Sequence, residues 1–244
     1  MRKLIFIFVV FIFSLSSGWA QWGIDLETGL TFQSYNDVRI PNETGTSFSF
    51  TDDFEKSNSI VPVRLRVNYT FGLRNHLSFL YAPLNIDYEG NPPFDIQFQQ
   101  TLFKKEDKIF GFYKFNSYRL TYRRELIHSE NWILGLGVTA KIRDAMVRLT
   151  TGTIRDRKTD LGFVPLVNIH LAYNAETWGI LLEGDGLAGG PGRAFDFFLG
   201  GKYAIIDGFH VKAGYRFLEG GADVDEVYNF TLLHFAAIGA IWQF

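Results

Sequence analysis

Glu27, Arg64, Arg66, Arg119, Lys141, Arg143, Glu183, Asp185 and Arg216 are spread over most of a 244-residue chain, yet each is the polar member of an apolar–polar alternation. Charges gathered on one face, away from bulk water, must pair, because a lone buried ion is costly. Fully paired, they brace an interior. Left partly open to water, they line a constriction that selects small polar solutes. Ser34 and His234 raise a second kind of chemistry, since both fall on the apolar series and a hydroxyl activated by an imidazole is a nucleophile for acyl transfer. No acid is clearly placed to orient that imidazole, and no nucleophile elbow surrounds Ser34. His76 and His128 fall in short turns, His210 opens an alternating run, and His170 lies on the polar series. No Gly-rich phosphate loop, HExxH or Cys/His cluster occurs, so neither a cofactor nor a metal is expected.

The elements that must position these groups are strands. In the first run Trp22, Ile24, Leu26, Leu30 and Phe32 alternate with Gly23, Asp25, Glu27, Gly29, Thr31 and Gln33. Because a strand turns successive side chains to opposite faces, the run has one apolar and one polar face. About ten such runs occur, near residues 22–34, 60–71, 77–88, 114–126, 132–143, 160–173, 178–186, 195–205, 209–218 and 230–244. Each is close to the ~9–11 residues of a tilted membrane-spanning strand. Short connections (Gly72–His76, Ile127–Asn131, Asn174–Thr177, Ile206–Gly208) alternate with longer ones (Tyr35–Ser59, Glu89–Tyr113, Asp144–Thr159, Leu187–Ala194, Glu219–Asn229). That rhythm predicts an all-β, up-and-down antiparallel barrel of about ten strands, eight or twelve being the alternatives, with short periplasmic turns and long external loops.

The N-terminus reads as an export signal over residues 1–20: Arg2 and Lys3, an apolar run from Leu4 to Leu15, then Gly18-Trp19-Ala20 as a cleavage site. The barrel then occupies residues 21–244. A net charge of −2 gives no basic field for nucleic acid, and the absence of Cys excludes disulfides and lipidation. A water-soluble barrel also alternates, but it would bury its apolar face and put its ions outside. Here the apolar series carries almost no charge, Arg124 at a turn edge being the main exception. Trp22, Trp132, Trp178 and Trp242 all belong to the apolar series at the short-turn end, where amphipathic rings make a membrane girdle with Phe244. Pro62, Pro83 and Pro165 fall inside expected strands, where each removes a ladder donor, and Pro83 has no evident excuse. Closure of an even-stranded barrel sets the first strand beside the last, which brings Ser34 and His234 to one level on the outer wall. A lipid-acyl hydrolase would need such a pair. A rim protease of the omptin kind would need acidic residues beside a His, and no convincing His partner is found.

The final run, Ala236-Ala237-Ile238-Gly239-Ala240-Ile241-Trp242-Gln243-Phe244, resembles the C-terminal signal of bacterial outer-membrane barrels. Tyr113–Arg123, Ala140–Ala145 and Gly214–Asp223 look like a family of uncharacterised small outer-membrane barrels, a likeness over most of the chain that is weakest in the first long loop. The resemblance implies a Gram-negative outer-membrane location, transient contact with the barrel-assembly machinery, and surroundings of lipid and lipopolysaccharide; it supplies no activity. The acidic stretch Glu219–Glu226 could offer oxygens to Ca²⁺ or, through bridging ions, to lipopolysaccharide, but it lacks EF-hand spacing and reads first as a solvated loop tip.

Overall fold

The computed structural model describes residues 20–57 and 60–244. The expected export segment lies outside the described residues except for Ala20, which opens the first strand. Ten staves follow: β1 (Ala20–Arg39), β2 (Arg64–Phe71), β3 (Asn75–Ala82, resuming at Asn85–Gly90), β4 (Ile109–His128) and β5 (Trp132–Thr151). The second half comprises β6 (Ile154–Asn174), β7 (Trp178–Gly189), β8 (Gly192–Ile206), β9 (Phe209–Val224) and β10 (Val227–Gln243). Each stave is antiparallel to the next, and β1 pairs with β10 from Gly23–Gln243 to Arg39–Tyr228, so the sheet closes. Closure leaves no long edge to face lipid, which is the condition for a sheet to cross a bilayer.

The faces divide as the alternation requires. On β5 Leu136, Val138 and Ile142 are exposed while Thr139 and Lys141 are buried; on β1 Leu26, Leu30 and Phe32 are exposed while Asp25, Glu27 and Thr31 are buried. Apolar residues outside and charged residues inside is a barrel wall solvated by lipid. Trp22, Trp132, Trp178 and Trp242 are all exposed at the short-turn end, Trp132 beside Tyr173 at 5.0 Å and Trp22 beside Tyr69 at 4.8 Å. Both chain ends meet there, with Trp22 and Phe244 exchanging backbone hydrogen bonds of 2.9 and 2.8 Å.

Three expected long loops are not loops. Asp144–Thr159, Leu187–Ala194 and Glu219–Asn229 are mostly strand, continuing β5–β6, β7–β8 and β9–β10 to tight turns. An apolar outer face is needed only across the ~25 Å lipid belt. Beyond it the ladder continues while the outer residues become polar, so the alternation fades before the strand ends. The prolines also find their places. Pro62 precedes β2, and Pro165 lies just past the last β6–β7 pair, Val167–Gly186. Pro83 marks the interruption of β3, where Leu84 N–H donates to Asn116 Oδ1 (3.1 Å) and Leu84 C=O accepts from Phe115 N–H (2.8 Å). A ladder donor is lost there and side-chain bonding replaces it.

The interior changes character with height. At mid-span it is charged. Above, the inward residues are apolar and pack against the 40–57 segment and the Ile96–Phe98/Thr101–Phe103 hairpin, forming a buried cluster around Phe50, Tyr88, Phe98, Phe103, Tyr113 and Leu149. Phe50 stacks on Tyr88 at 4.4 Å. Phe48, Phe50 and Phe98 come from what the sequence presents as loop, which is why this core was not foreseen.

Candidate functional site

The mid-span charges form one connected layer. Asp196 sits among three guanidinium groups: Arg64 at 2.8 Å, Arg119 at 2.6 Å and Arg216 at 2.7 Å. Glu27 takes Arg216 at 2.6 and 2.9 Å and Lys212 at 2.9 Å. Asp185 accepts from Arg119 (2.8 Å), Thr139 (2.6 Å) and Asn168 (2.8 Å). Glu183 accepts from Arg66 at 2.7 Å, and Asp25 from Lys212 at 2.8 Å. Carboxylates Asp25, Glu27, Glu183, Asp185 and Asp196 thus face cations Arg64, Arg66, Arg119, Lys212 and Arg216, five against five. Arg119 and Arg216 are 2% and 1% exposed, so water does not take over their solvation; the carboxylates do.

The register explains the convergence. Asp185 on β7 stands opposite Asp196 on β8, and two carboxylates held so close require cations from across the barrel. Glu27 on β1 likewise stands opposite Arg64 on β2. Phe198 fills the space between, fully buried, with Lys212 and Arg216 over its ring at 5.0 and 5.3 Å.

Of the expected network, Glu27, Arg64, Arg66, Arg119, Glu183, Asp185 and Arg216 meet in the layer. Lys141 points inward without a carboxylate partner among the described residues, lying over the Phe115 ring at 4.7 Å. Arg143 sits apart, its guanidinium bonded to Asp160. Asp196 was missed, although the signal existed: Phe195, Phe197 and Leu199 are the outward series of β8, which turns Asp196 inward. The acidic stretch after Glu219 is divided among separate partners. Glu219 accepts from Arg193 (2.7 Å) and Tyr35 (2.8 Å), Asp223 from Asn42 (2.6 Å), and Glu226 pairs with Lys158 (2.5 Å), which holds the Glu226 carboxyl below its ordinary range. Among the described residues no group of three or more His, Asp or Glu is arranged to hold a metal.

A second arrangement lies on the outer wall. Ser34 Oγ is 2.8 Å from His234 Nε2, and Tyr215 Oη is 2.5 Å from His234 Nδ1. The register between β1 and β10 slips between Gln33 and Tyr35, which leaves Ser34 as the unpaired residue of a β-bulge. A bulge re-aims side chains, and it sets the Ser34 hydroxyl beside an imidazole that pairs in register with Phe32. The ring is held between Phe32 (5.5 Å) and Tyr215 (5.9 Å), both stacked on it. With the proton on Nδ1 donated to Tyr215, Nε2 is free to accept from Ser34. Ser34 and Tyr215 are exposed, on the face that carries the apolar belt. Tyr215 was not anticipated. The outward series Val211, Ala213, Tyr215, Phe217 places it on the right face, but only the β9–β10 register, which sets Phe217 opposite His234, brings it within reach.

No family model and no curated protein matches this chain. Solved structures do. It is similar to the outer membrane protease OmpT from Escherichia coli, at 9% identity over 92% of this chain and 97% of that one, with a TM-score of 0.56. The attachment invasion locus protein Ail of Yersinia pestis aligns at 12% identity over 93% of this chain and 100% of that one, TM-score 0.41. The translocator domain of the autotransporter NalP from Neisseria meningitidis aligns at 10% identity over 100% and 95%, TM-score 0.45. At these identities the likeness is one of fold: the chain has the fold of small outer-membrane β-barrel proteins.

Proposed function

We propose that this chain is an integral outer-membrane protein of a Gram-negative bacterium, exported through the leader at residues 1–20, whose barrel is closed to solutes and serves as a rigid scaffold. The observation that carries this reading is the balanced charge layer centred on Asp196, spanning the interior from β1 and β2 to β7, β8 and β9. A passage through it would have to separate buried, mutually neutralising pairs, and each such separation leaves an ion without solvation. The aromatic core above the layer obstructs the same path with well-packed side chains. The test is liposome swelling. Vesicles carrying the refolded protein should shrink in hypertonic arabinose and stay shrunken, as protein-free vesicles do; rapid reswelling would contradict a closed barrel.

The Ser34–His234–Tyr215 arrangement favours a second reading, an acyl hydrolase acting on outer-leaflet lipid. His234 Nε2 would take the Ser34 proton as Oγ attacks an ester carbonyl, then return it to the departing alkoxide; water would release the acid from the acyl-serine. Tyr215 would hold the ring and its tautomer. Ser34 lies twelve residues above Trp22 on β1, at the far side of the apolar belt, where the ester groups of a lipid sit. Mass spectrometry of lipids from cells expressing the protein decides it. A deacylated species should appear with the parent and vanish with Ser34→Ala and with His234→Ala. Unaltered lipids in cells holding folded parent barrel would end this reading and leave the closed scaffold.

A further inference from the structure

Among the described residues three interior cations outside the balanced layer lack a carboxylate oxygen within 4.0 Å. Lys141 has the Phe115 ring. The other two, Arg123 and Lys202, line one cavity of about 160 Å³ at the short-turn mouth of the barrel, below the layer. Among the described residues neither has a carboxylate oxygen within 4.0 Å.

The sheet register explains why. Lys202 stands directly opposite Lys212, a like-charge pair that is unfavourable by itself. Lys212 escapes by pairing with Asp25 (2.8 Å) and Glu27 (2.9 Å), leaving Lys202 with nothing. Arg123 faces His76 across one ladder and Gly137 across the other. Its side chain lies against Gly135, where even a Cβ would come within 2.8 Å of Arg123 Cδ. The acid on its own stave, Glu125, is occupied by His76 (2.7 Å) and His128 (2.5 Å). Arg123 Nε and His170 Nδ1 are both buried without a hydrogen-bond partner.

Each carboxylate that borders the cavity already holds a cation: Asp25 Oδ2 takes Lys212, Glu183 Oε2 takes Arg66 and Glu125 takes its two His, while Asp25 Oδ1 and Glu183 Oε1 are buried without a hydrogen bond. Two cations in a half-enclosed cup, with polar nitrogens left unbonded, are a binding site lacking its counter-charge. Asn68 adds a donor, because its Oδ1 is taken by Ser78 while its NH₂ remains. The cup is a dead end, closed above by the Arg66–Glu183 pair, and its volume suits one compact ion with a few waters.

We propose that this cup binds a small oxyanion of the phosphate class, held chiefly by Arg123 and Lys202, with His170 and Asn68 as further donors. Its opening toward the periplasm rests on the outer-membrane reading above; the binding does not, since it follows from the cup alone.

The experiment uses the full mature barrel refolded into phosphatidylcholine nanodiscs at low ionic strength, with inorganic phosphate as probe. Calorimetric titration should show one phosphate per barrel, and phosphate should raise the melting temperature. Arg123→Gln and Lys202→Gln should each weaken binding at least tenfold. Without phosphate, Arg123→Gln should be as stable as the parent or more so, because an uncompensated charge has been removed. Should Arg123→Gln fail to fold, Lys202→Gln carries the test. Nanodiscs containing phosphatidylglycerol and no phosphate should leave the melting temperature unchanged. An Arg123-dependent rise there, without a response to phosphate, would overturn the free-ion assignment in favour of a lipid headgroup. No phosphate binding to the parent, or equal binding by parent and both variants, would overturn the site. Whether lipids are deacylated or solutes pass has no bearing on these outcomes, so this proposal and the functional reading fail separately.

Discussion

Asp196→Asn tests the charge layer at its most connected point. The carboxylate has Arg64, Arg119 and Arg216 at 2.8, 2.6 and 2.7 Å, and the amide that replaces it keeps the shape while losing the charge. The layer then holds five cations against the four remaining carboxylates, Asp25, Glu27, Glu183 and Asp185. Unit charges about 4 Å apart interact by roughly 4 kcal/mol at an effective dielectric near 20. Three such attractions are not all lost, because Glu27 still holds Arg216 and Asp185 still holds Arg119. What remains is one guanidinium short of a partner, with Arg64 the most affected, since its other contact, to Glu27, is 3.6 Å. Breaking a buried pair costs about 3–5 kcal/mol, and that is the expected loss. The companion variant is Asp196→Asn with Arg64→Gln, which restores balance at four against four. The pair should cost less than the sum of the single changes by about 1–3 kcal/mol. Urea titration of the barrel in lipid vesicles reads both, because urea adds no salt and the girdle Trp residues report loss of the membrane interface through their fluorescence. A single variant within 1 kcal/mol of the parent, or a double variant costing the full sum, would refute the layer as described.

Leu65→Arg or Leu136→Arg, each mid-belt on the lipid face, should cost about 2–4 kcal/mol in the same titration, and no penalty for either would contradict the membrane-facing wall. Replacing Trp242 and Phe244 by Ser removes two neighbouring girdle rings, tilted to each other with centroids 5.2 Å apart, at the end of the last strand. The precursor should still leave the cytoplasm but fail to accumulate in the outer membrane, and normal levels there would show that the terminal resemblance misleads. If lipid is deacylated, Tyr215→Phe should slow the reaction by roughly 10- to 100-fold while leaving lipid affinity alone, because only the orienting bond to His234 Nδ1 is lost. A rate equal to the parent's would remove Tyr215 from the mechanism.

The wall of the barrel was legible because lipid imposes a period of two on every spanning segment, and Leu26 or Val138 cannot hide which way it faces. The height of the barrel was not. Above the belt Asp144, Asp156 and Asp160 stay in register with their partners, but outer residues that meet water lose the apolar signal that identified the strand. The inward charges were visible for the same reason as the wall, whereas their partners were not. Which guanidinium reaches Asp185 or Asp196 depends on tilt and closure, and these follow from ten registers at once rather than from any one segment. Arg143 illustrates the limit: it shares the parity of the inward series, yet it sits beside Asp160, above the layer. The Ser34–His234 contact was reachable from strand parity and closure alone. The bulge at Ser34 and the part of Tyr215 were not, since a one-residue slip in register leaves no mark in composition.

A closed barrel has no solute path across the Asp196 layer, and single-channel recording of the refolded protein in a planar bilayer reads this without an intermediate step. The parent protein should leave the membrane silent across ±100 mV in 1 M KCl, even after insertion has been verified by protease protection. Steady ohmic steps from the parent, shifting toward anion selectivity when Glu183 and Asp185 are replaced by their amides, would contradict it and make the layer the constriction of a pore.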